Sequence, residues 1–435
     1  MKGPLRMRGR DLIDAEGRTV LIHGVNSVNK QEPFITPLEP GGLGTEDLEG
    51  MRADGTNGVR LGVWAAALMP EPGVIDTGYL DDVQEVVEVL ESEGLWVLLD
   101  FHQDVFWGMP TWATTPEAAA ASDEINPLLA GIGWSAAYTT DRSNRQWSDW
   151  WNDVEIRPGQ GVQELFTEGV AAVAARFADS PNVIGIDLLN EPFAGEAFGQ
   201  CVQSCPALYQ KVAAAFTKMT TAVRAAAPDM PVWWEPFTYG PQFPGVADPG
   251  EGVGMSFHAY CLGTDGGTPV APSPSEQAIC DAMFDTNFDG ARAVSRRWDA
   301  PMMLTEFGAS NSPLNATAGA RRADEQLISW FHWHGSIEYP EVVRTQLVRT
   351  YAQATAGTPT RQSFDPGTGA FELRYVPDHT VSEPTSIFVP SLHYPDGYQA
   401  SVEGGSVTSA PDAGRLTVQA DPGATEVVVR VRRTT

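Results

Sequence analysis

Two glutamates each stand at the carboxy end of a short apolar run: Glu191 in VIGIDLLNEPFAG and Glu306 in PMMLTEFG. Such a run reads as a strand buried on both faces, and an amide and a carboxyl placed directly after it cost solvation free energy unless they serve a chemical purpose. Two carboxyls facing one bond can divide the work of breaking it: one protonates the departing oxygen, the other meets the carbon left behind. The ends of other apolar runs are as polar. They offer Asn26 and Lys30, Arg60, His102 and Asp104, Asn190, Glu235, His258 and Tyr260, and Trp330 or Trp333.

The elements that must position these groups alternate. Strands are expected at Val20–Asn26, Gly58–Val63, Leu95–His102, Val183–Asn190, Val232–Pro236, Gly254–Tyr260 and Pro301–Gly308, with an eighth in LISWFHWHGS (Leu327–Ser336). Between them run stretches with apolar residues at helical spacing, such as YLDDVQEVVEVLESEG and GVQELFTEGVAAVAARFADS. Strand and helix repeated this often mean a parallel sheet, and eight repeats fit a (β/α)8 TIM barrel, whose active site lies at the carboxy ends of the strands. Past Tyr351 the pattern becomes period-two alternation broken by Gly, Pro and Asp, the pattern of a small antiparallel β-sandwich. The expected division is a barrel over 1–353 and a sandwich over 354–435.

A formal net charge of -28 opposes phosphate backbones and anionic membrane surfaces, which excludes nucleic acid as a partner and electrostatic membrane docking. No window is apolar enough to span a bilayer, and the first residues lack the apolar core of a signal peptide. Cys201, Cys205, Cys261 and Cys280 permit three pairings. The local one, Cys201 with Cys205 and Cys261 with Cys280, is the expected set of structural disulfides, and it points to an exported, extracellular protein. Metal is not expected: neither cysteine pair has the partners of a zinc site, and the His332 and His334 of HWH lack a third ligand. No cofactor is expected, and the chain is expected to be a monomer.

Five motifs in order, VRLGV, DFHQD, LLNEP, HAY and TEFG, resemble glycoside hydrolase family 5 within the retaining (β/α)8 clan, over the whole barrel region. DFHQDVFW, the aromatic NRQWSDWWNDV and the tail from YAQATAGTPTRQSFD resemble more narrowly the bacterial endoglycoceramidases, which release an intact oligosaccharide from ceramide. The resemblance implies that Glu191 is the acid/base and Glu306 the nucleophile, about 5 Å apart. It implies that Asn190 binds the sugar 2-hydroxyl and that Arg60 and Tyr260 keep Glu306 ionised. His102 and His258 would orient sugar and carboxylates, while Lys30 and Asp104 would bind hydroxyls. Trp330 or Trp333 would form a sugar platform, with Trp147, Trp150 or Trp151 in distal subsites. Glu235 is left as a group behind the reacting pair or a sugar contact.

The same resemblance implies a glycosphingolipid substrate at a micelle or membrane surface. Two alkyl chains cannot be left in water at about 0.8 kcal/mol per methylene, so an apolar groove is needed on the leaving-group side. The loops WAAALMPEPGVI and VFWGMPTWATT are its expected lining. Other readings stay open: a family 5 β-glucanase, an enzyme specific for a single glucose or galactose on ceramide, a lectin-like protein on an inactive barrel, and a metal-dependent barrel hydrolase.

Overall fold

The structure is a computed structural model that describes residues 3–125, 130–201, 205–238, 242–261, 273–335 and 339–434. Eight parallel strands close into a barrel: β1 (His23–Ser27), β2 (Gly58–Trp64), β3 (Trp96–His102), β4 (Val183–Asp187), β5 (Val232–Trp234), β6 (Val253–His258), β7 (Met302–Glu306) and β8 (Trp330–His332). The three-residue β8 completes the ring by pairing Trp330 with His23 of β1. Side-chain alternation then sorts each strand. Val59, Leu61 and Val63 of β2 pack outward against the helices, whereas Arg60 points into the barrel.

The barrel interior is layered. Its lower part is apolar, built from Ile22, Leu98, Ile184, Trp233, Met303 and Phe331, and closed from below by Leu5, Leu12 and Val20. Above it, Asn26, Arg60, Asp100, Asp187 and Ser256 form a fully buried polar layer. Gly185 in β4 adopts φ +129°, where a Cβ would strike the Pro231 carbonyl oxygen at 2.4 Å, so only glycine lets this strand lie against the start of β5.

The helices carry ordinary start signals. Asp76 accepts from the N–H groups of Gly78 and Tyr79 to cap Thr77–Ser92, and Ser273 with Glu276 forms a capping box on Pro274–Trp298. The helix Asp141–Trp151 places Trp147, Trp150 and Trp151 in the core.

The carboxy-terminal sandwich has a four-stranded sheet (Gly357–Asp365, Ala370–Pro377, Val427–Arg433, Tyr398–Glu403) facing a seven-stranded one. Three strands of the latter come from the amino terminus: Arg6–Arg8, Asp11–Ile13 and Thr19–Val20. The run read as one first strand, Val20–Asn26, is therefore split: Val20 pairs with Ala354 in the sandwich and His23 begins the barrel.

A buried ion pair at the end of the barrel unit is tied by hydrogen bonds to the sandwich strand Gly357–Asp365. Arg349 Nε lies 2.7 Å from Asp324 Oδ2, while Gln362 Nε2 donates to Asp324 Oδ1 at 3.2 Å and Arg349 Nη2 donates to the Phe364 carbonyl at 3.0 Å. Leaving one member of a buried pair without its partner costs about 3–5 kcal/mol. Asp324→Ala should lower unfolding stability by that order in a denaturant titration. A loss below about 1 kcal/mol would show that the pair does not hold barrel and sandwich together.

Candidate active site

Arg60 is the centre of the site and is wholly buried. Its guanidinium donates to Asn26 Oδ1 at 3.0 Å, Glu306 Oε1 at 2.8 Å, Asp100 Oδ1 at 2.9 Å, Asp187 Oδ2 at 3.0 Å and Asn190 Oδ1 at 2.8 Å. Burial works against its charge, but the carboxyls of Asp100, Asp187, Glu306 and Glu235 outweigh it and hold the guanidinium above its ordinary pKa. Asp100 and Asp187 were not singled out from the sequence. Their signal was there: each is a charged residue inside an otherwise apolar strand.

Glu306, at the end of β7, accepts from Arg60 at Oε1 and from the Tyr260 hydroxyl at Oε2, 2.7 Å away. Burial, and then the charges of Glu306 and Glu191, push the Tyr260 phenol well up, so it stays a donor. Across the barrel mouth, Glu191 receives the Tyr138 hydroxyl at Oε2 (3.1 Å) and touches His258 Nδ1 through Oε1 (2.9 Å). Burial, and next the charge of Asp104, raise Glu191 to about 7. His258 Nδ1 lies within 3.5 Å of carboxyl oxygens on Glu191, Glu235 and Glu306, yet burial lowers the ring to about 4; with a neutral imidazole the 2.9 Å contact to Glu191 is a hydrogen bond rather than an ion pair. One carboxyl oxygen of Glu191, one of Glu306 and a ring nitrogen of His258 all lie within 4.8 Å of one another. That spacing suits two carboxyls acting on one carbon without room for an intervening water.

The cleft around this pair has a volume of about 400 Å3 and two unlike sides. Toward β8, β1 and β3 it is polar. Lys30 pairs with Asp104 Oδ2 at 2.6 Å and sits 4.7 Å from the Trp333 ring centre, and Trp333 stacks on His102. Burial opposes charge on His102, but Asp100 and Asp104 raise it to about 9; burial likewise opposes charge on Asp104, which His102 and Lys30 hold well below the usual carboxylate range. Asn190 is buried, with Oδ1 accepting from Arg60 and Nδ2 donating to the Gln103 carbonyl at 2.9 Å. Toward β5 and β6 the cleft is lined by Pro236, Phe237, Thr238 and Gln242, and by Met283, Thr286 and Asn287 of the helix Pro274–Trp298. The sequence reading missed this wall, because its residues are spread over a loop and a helix with no local motif.

Several expectations need correction. Trp330 faces outward from β8 and stacks on His23 at 4.4 Å, away from the cleft; Trp333, just past the strand, is the aromatic that lines it. Trp151 is buried and donates its indole N–H to the Phe193 carbonyl at 2.7 Å, and Trp147 and Trp150 are buried with it, so none lines the cleft. In the loops after β2 and β3, Trp64, Leu68, Met69 and Met109 are core, leaving Val74 and Trp107 exposed. These loops pack the barrel rather than line a groove. The Cys201–Cys205 disulfide is present, whereas Cys261 and Cys280 are buried thiols hydrogen-bonded to each other, not a second bridge.

Residues 14–338 match the family Cellulase (glycosyl hydrolase family 5), and residues 349–432 match the glycoside hydrolase family 5 C-terminal domain. Endoglycoceramidase I of Rhodococcus hoagii is 38% identical over 454 residues, covering 99% of this chain and 88% of that one. Endoglycoceramidase of Hydra vulgaris is 24% identical, covering 90% and 81%. Among solved structures, endo-glycoceramidase II from Rhodococcus sp. in its ganglioside GM3 complex superposes with a TM-score of 0.77 at 25% identity, covering 98% of this chain and 100% of that one.

The raised Glu191 has a thermodynamic consequence. A carboxyl near 7 when folded and near its model-peptide value when unfolded stabilises the fold below the unfolded pKa, and this contribution is lost as pH rises through 7. The stability of wild type relative to Glu191→Gln should therefore fall by roughly 3 kcal/mol between about pH 4 and pH 8. A flat difference across that window would show that Glu191 titrates normally.

Proposed function

This chain belongs to glycosyl hydrolase family 5, and from that premise we propose that it hydrolyses the β-glycosidic bond between an oligosaccharide and ceramide, with retention of configuration. The observation that carries the reading is the Glu191–Glu306 pair, within 4.8 Å, set in one cleft between a charged side and an uncharged side that includes Pro236, Phe237 and Met283. The sugar lies over Trp333, with Lys30 and Asp104 as its polar partners and Asn190, beside Glu191, placed toward its 2-hydroxyl. The ceramide head lies along Phe237 and Met283, where Thr238, Thr286 and Asn287 meet its hydroxyl and amide.

In the first step Glu306 attacks the anomeric carbon, and the bond to the ceramide oxygen breaks. Glu191, protonated near neutral pH, gives that oxygen its proton, so neutral ceramide departs. The carboxylate left on Glu191 then takes a proton from water, whose oxygen displaces Glu306 from the sugar. Arg60 and Tyr260 balance the charge of Glu306 as it comes and goes, acting from fixed positions in a buried site. His258, kept neutral, orients Glu191 without pairing with either proton state as an ion.

We further read the protein as exported and monomeric, with its catalytic unit ending near residue 353. The Cys201–Cys205 disulfide supports export, since such bridges persist in oxidising compartments. Among the described residues no helix is long and apolar enough to cross a membrane.

Mass spectrometry of products from mixed glycosphingolipids in mild detergent should show intact oligosaccharide and free ceramide, both lost with Glu306→Gln. Turnover of a soluble β-glucan with no lipid cleavage would keep the two-carboxyl chemistry and sink the ceramide reading. Phe237→Ala should raise KM for the glycolipid by about tenfold, from lost apolar contact, and leave a soluble aryl glycoside nearly unaffected. Equal losses on both would move Phe237 to the sugar side.

A further inference from the structure

Glu235 is a third buried carboxyl at the reaction centre, at the end of β5, and the steps above do not use it. Its Oε1 accepts the backbone N–H of Glu191 at 3.1 Å and lies 3.5 Å from His258 Nδ1. Its Oε2 is buried with no hydrogen-bond partner among the described residues, 3.8 Å from Arg60 Nη2. Glu191 itself has φ +42°, in the left-handed region that costs a residue with a Cβ about 1 kcal/mol or more. Something must hold it there. From one side Gln103 Nε2 donates to the carbonyls of Asn190 (2.7 Å) and Glu191 (3.0 Å); from the other stands Glu235.

The charge balance around Glu235 decides its form. Arg60 is the cation facing it, and Arg60 already serves Asp100, Asp187 and Glu306. The other groups acting on it are the carboxyls of Asp187, Glu191 and Glu306 and the neutral imidazole of His258. A fourth carboxylate in this dry cluster would have no counter-charge, so Glu235 keeps its proton.

We propose that Glu235 is a positioning residue: as a neutral acid it accepts the Glu191 N–H through Oε1 and fixes the left-handed turn that aims the Glu191 carboxyl at the leaving oxygen. Burial, and next the charge of Asp187, push the Glu235 carboxyl well above its usual range, in keeping with this form. The proposal rests on the reading of Glu191 as acid/base.

The test compares Glu235→Gln, Glu235→Leu and Glu191→Gln on two substrates: lactosylceramide in detergent micelles, whose alkoxide needs a proton to leave, and dinitrophenyl β-lactoside, whose leaving group does not. Gln offers the same acceptor without a charge. Glu235→Gln should lose less than about tenfold in kcat on the glycolipid, with the alkaline limb of kcat/KM unmoved, because general-acid catalysis worth about 10²–10⁴-fold stays in place. Glu235→Leu should lose about 10²-fold or more on the glycolipid and under about fivefold in kcat/KM on the aryl glycoside, the same split as Glu191→Gln. Equal losses on both substrates, a fully active Glu235→Leu, or a Glu235→Gln as impaired as Glu191→Gln would overturn the proposal. If Glu235→Leu does not fold, Glu235→Gln alone still decides, through its activity and its pH limb. A Glu191→Gln that cleaves lactosylceramide normally would instead overturn the acid/base reading.

Discussion

One guanidinium organises this site. Arg60, on β2, is the buried guanidinium of the barrel's polar layer, and it donates to Asn26 of β1, Asp100 of β3, Asp187 of β4, Asn190 just past β4, and Glu306 of β7, so it ties four other strands to its own. An arginine suits this position because its planar fork fixes several partners at once and keeps its charge when buried. The cost of burying it is offset only if the partners are complete, and that requirement ties the geometry of the strands to the geometry of the reacting carboxyls. The apolar layer beneath, from Leu98 to Phe331, keeps water out and makes each of these hydrogen bonds stronger.

From this centre the two glutamates acquire opposite characters. Glu306 lies against Arg60 and Tyr260, two donors, and is prepared to carry negative charge up to the moment it attacks. Glu191 is placed farther out, beside a neutral imidazole and a tyrosine and within the field of Asp104, where burial favours the protonated form near neutral pH. Identical side chains take different roles because one is given a cation and the other is denied one. The cleft repeats this asymmetry on a larger scale. Strands β8, β1 and β3 present charges and a stacked indole to the sugar side, while β5 and β6 lead into Phe237 and Met283.

Much of this was legible in the chain. The barrel followed from strand and helix periods, and the reacting pair from polar residues at the ends of apolar runs, which is where barrel geometry gathers them. What escaped the reading had a physical reason in each case. Trp330 and Trp333 differ by three positions, and only the register of β8 decides which of them faces the helices. The tryptophans of NRQWSDWWNDV sit on a helix, and a helical face can be turned to core or cleft with the same composition. Phe237 and Met283 line the cleft from separate elements, a loop and a helix, so no spacing announces them. The split of Val20–Asn26 between two sheets depends on strands more than three hundred residues away, which no local pattern records.

The most direct test of the account is to label the enzyme with an activated 2-deoxy-2-fluoro-β-lactoside and locate the adduct by peptide mass spectrometry. The account predicts one fluorosugar ester on Glu306, formed in the wild type and absent from Glu306→Gln. An adduct on Glu191 or Glu235, or turnover that releases the inverted sugar with no adduct, would contradict it.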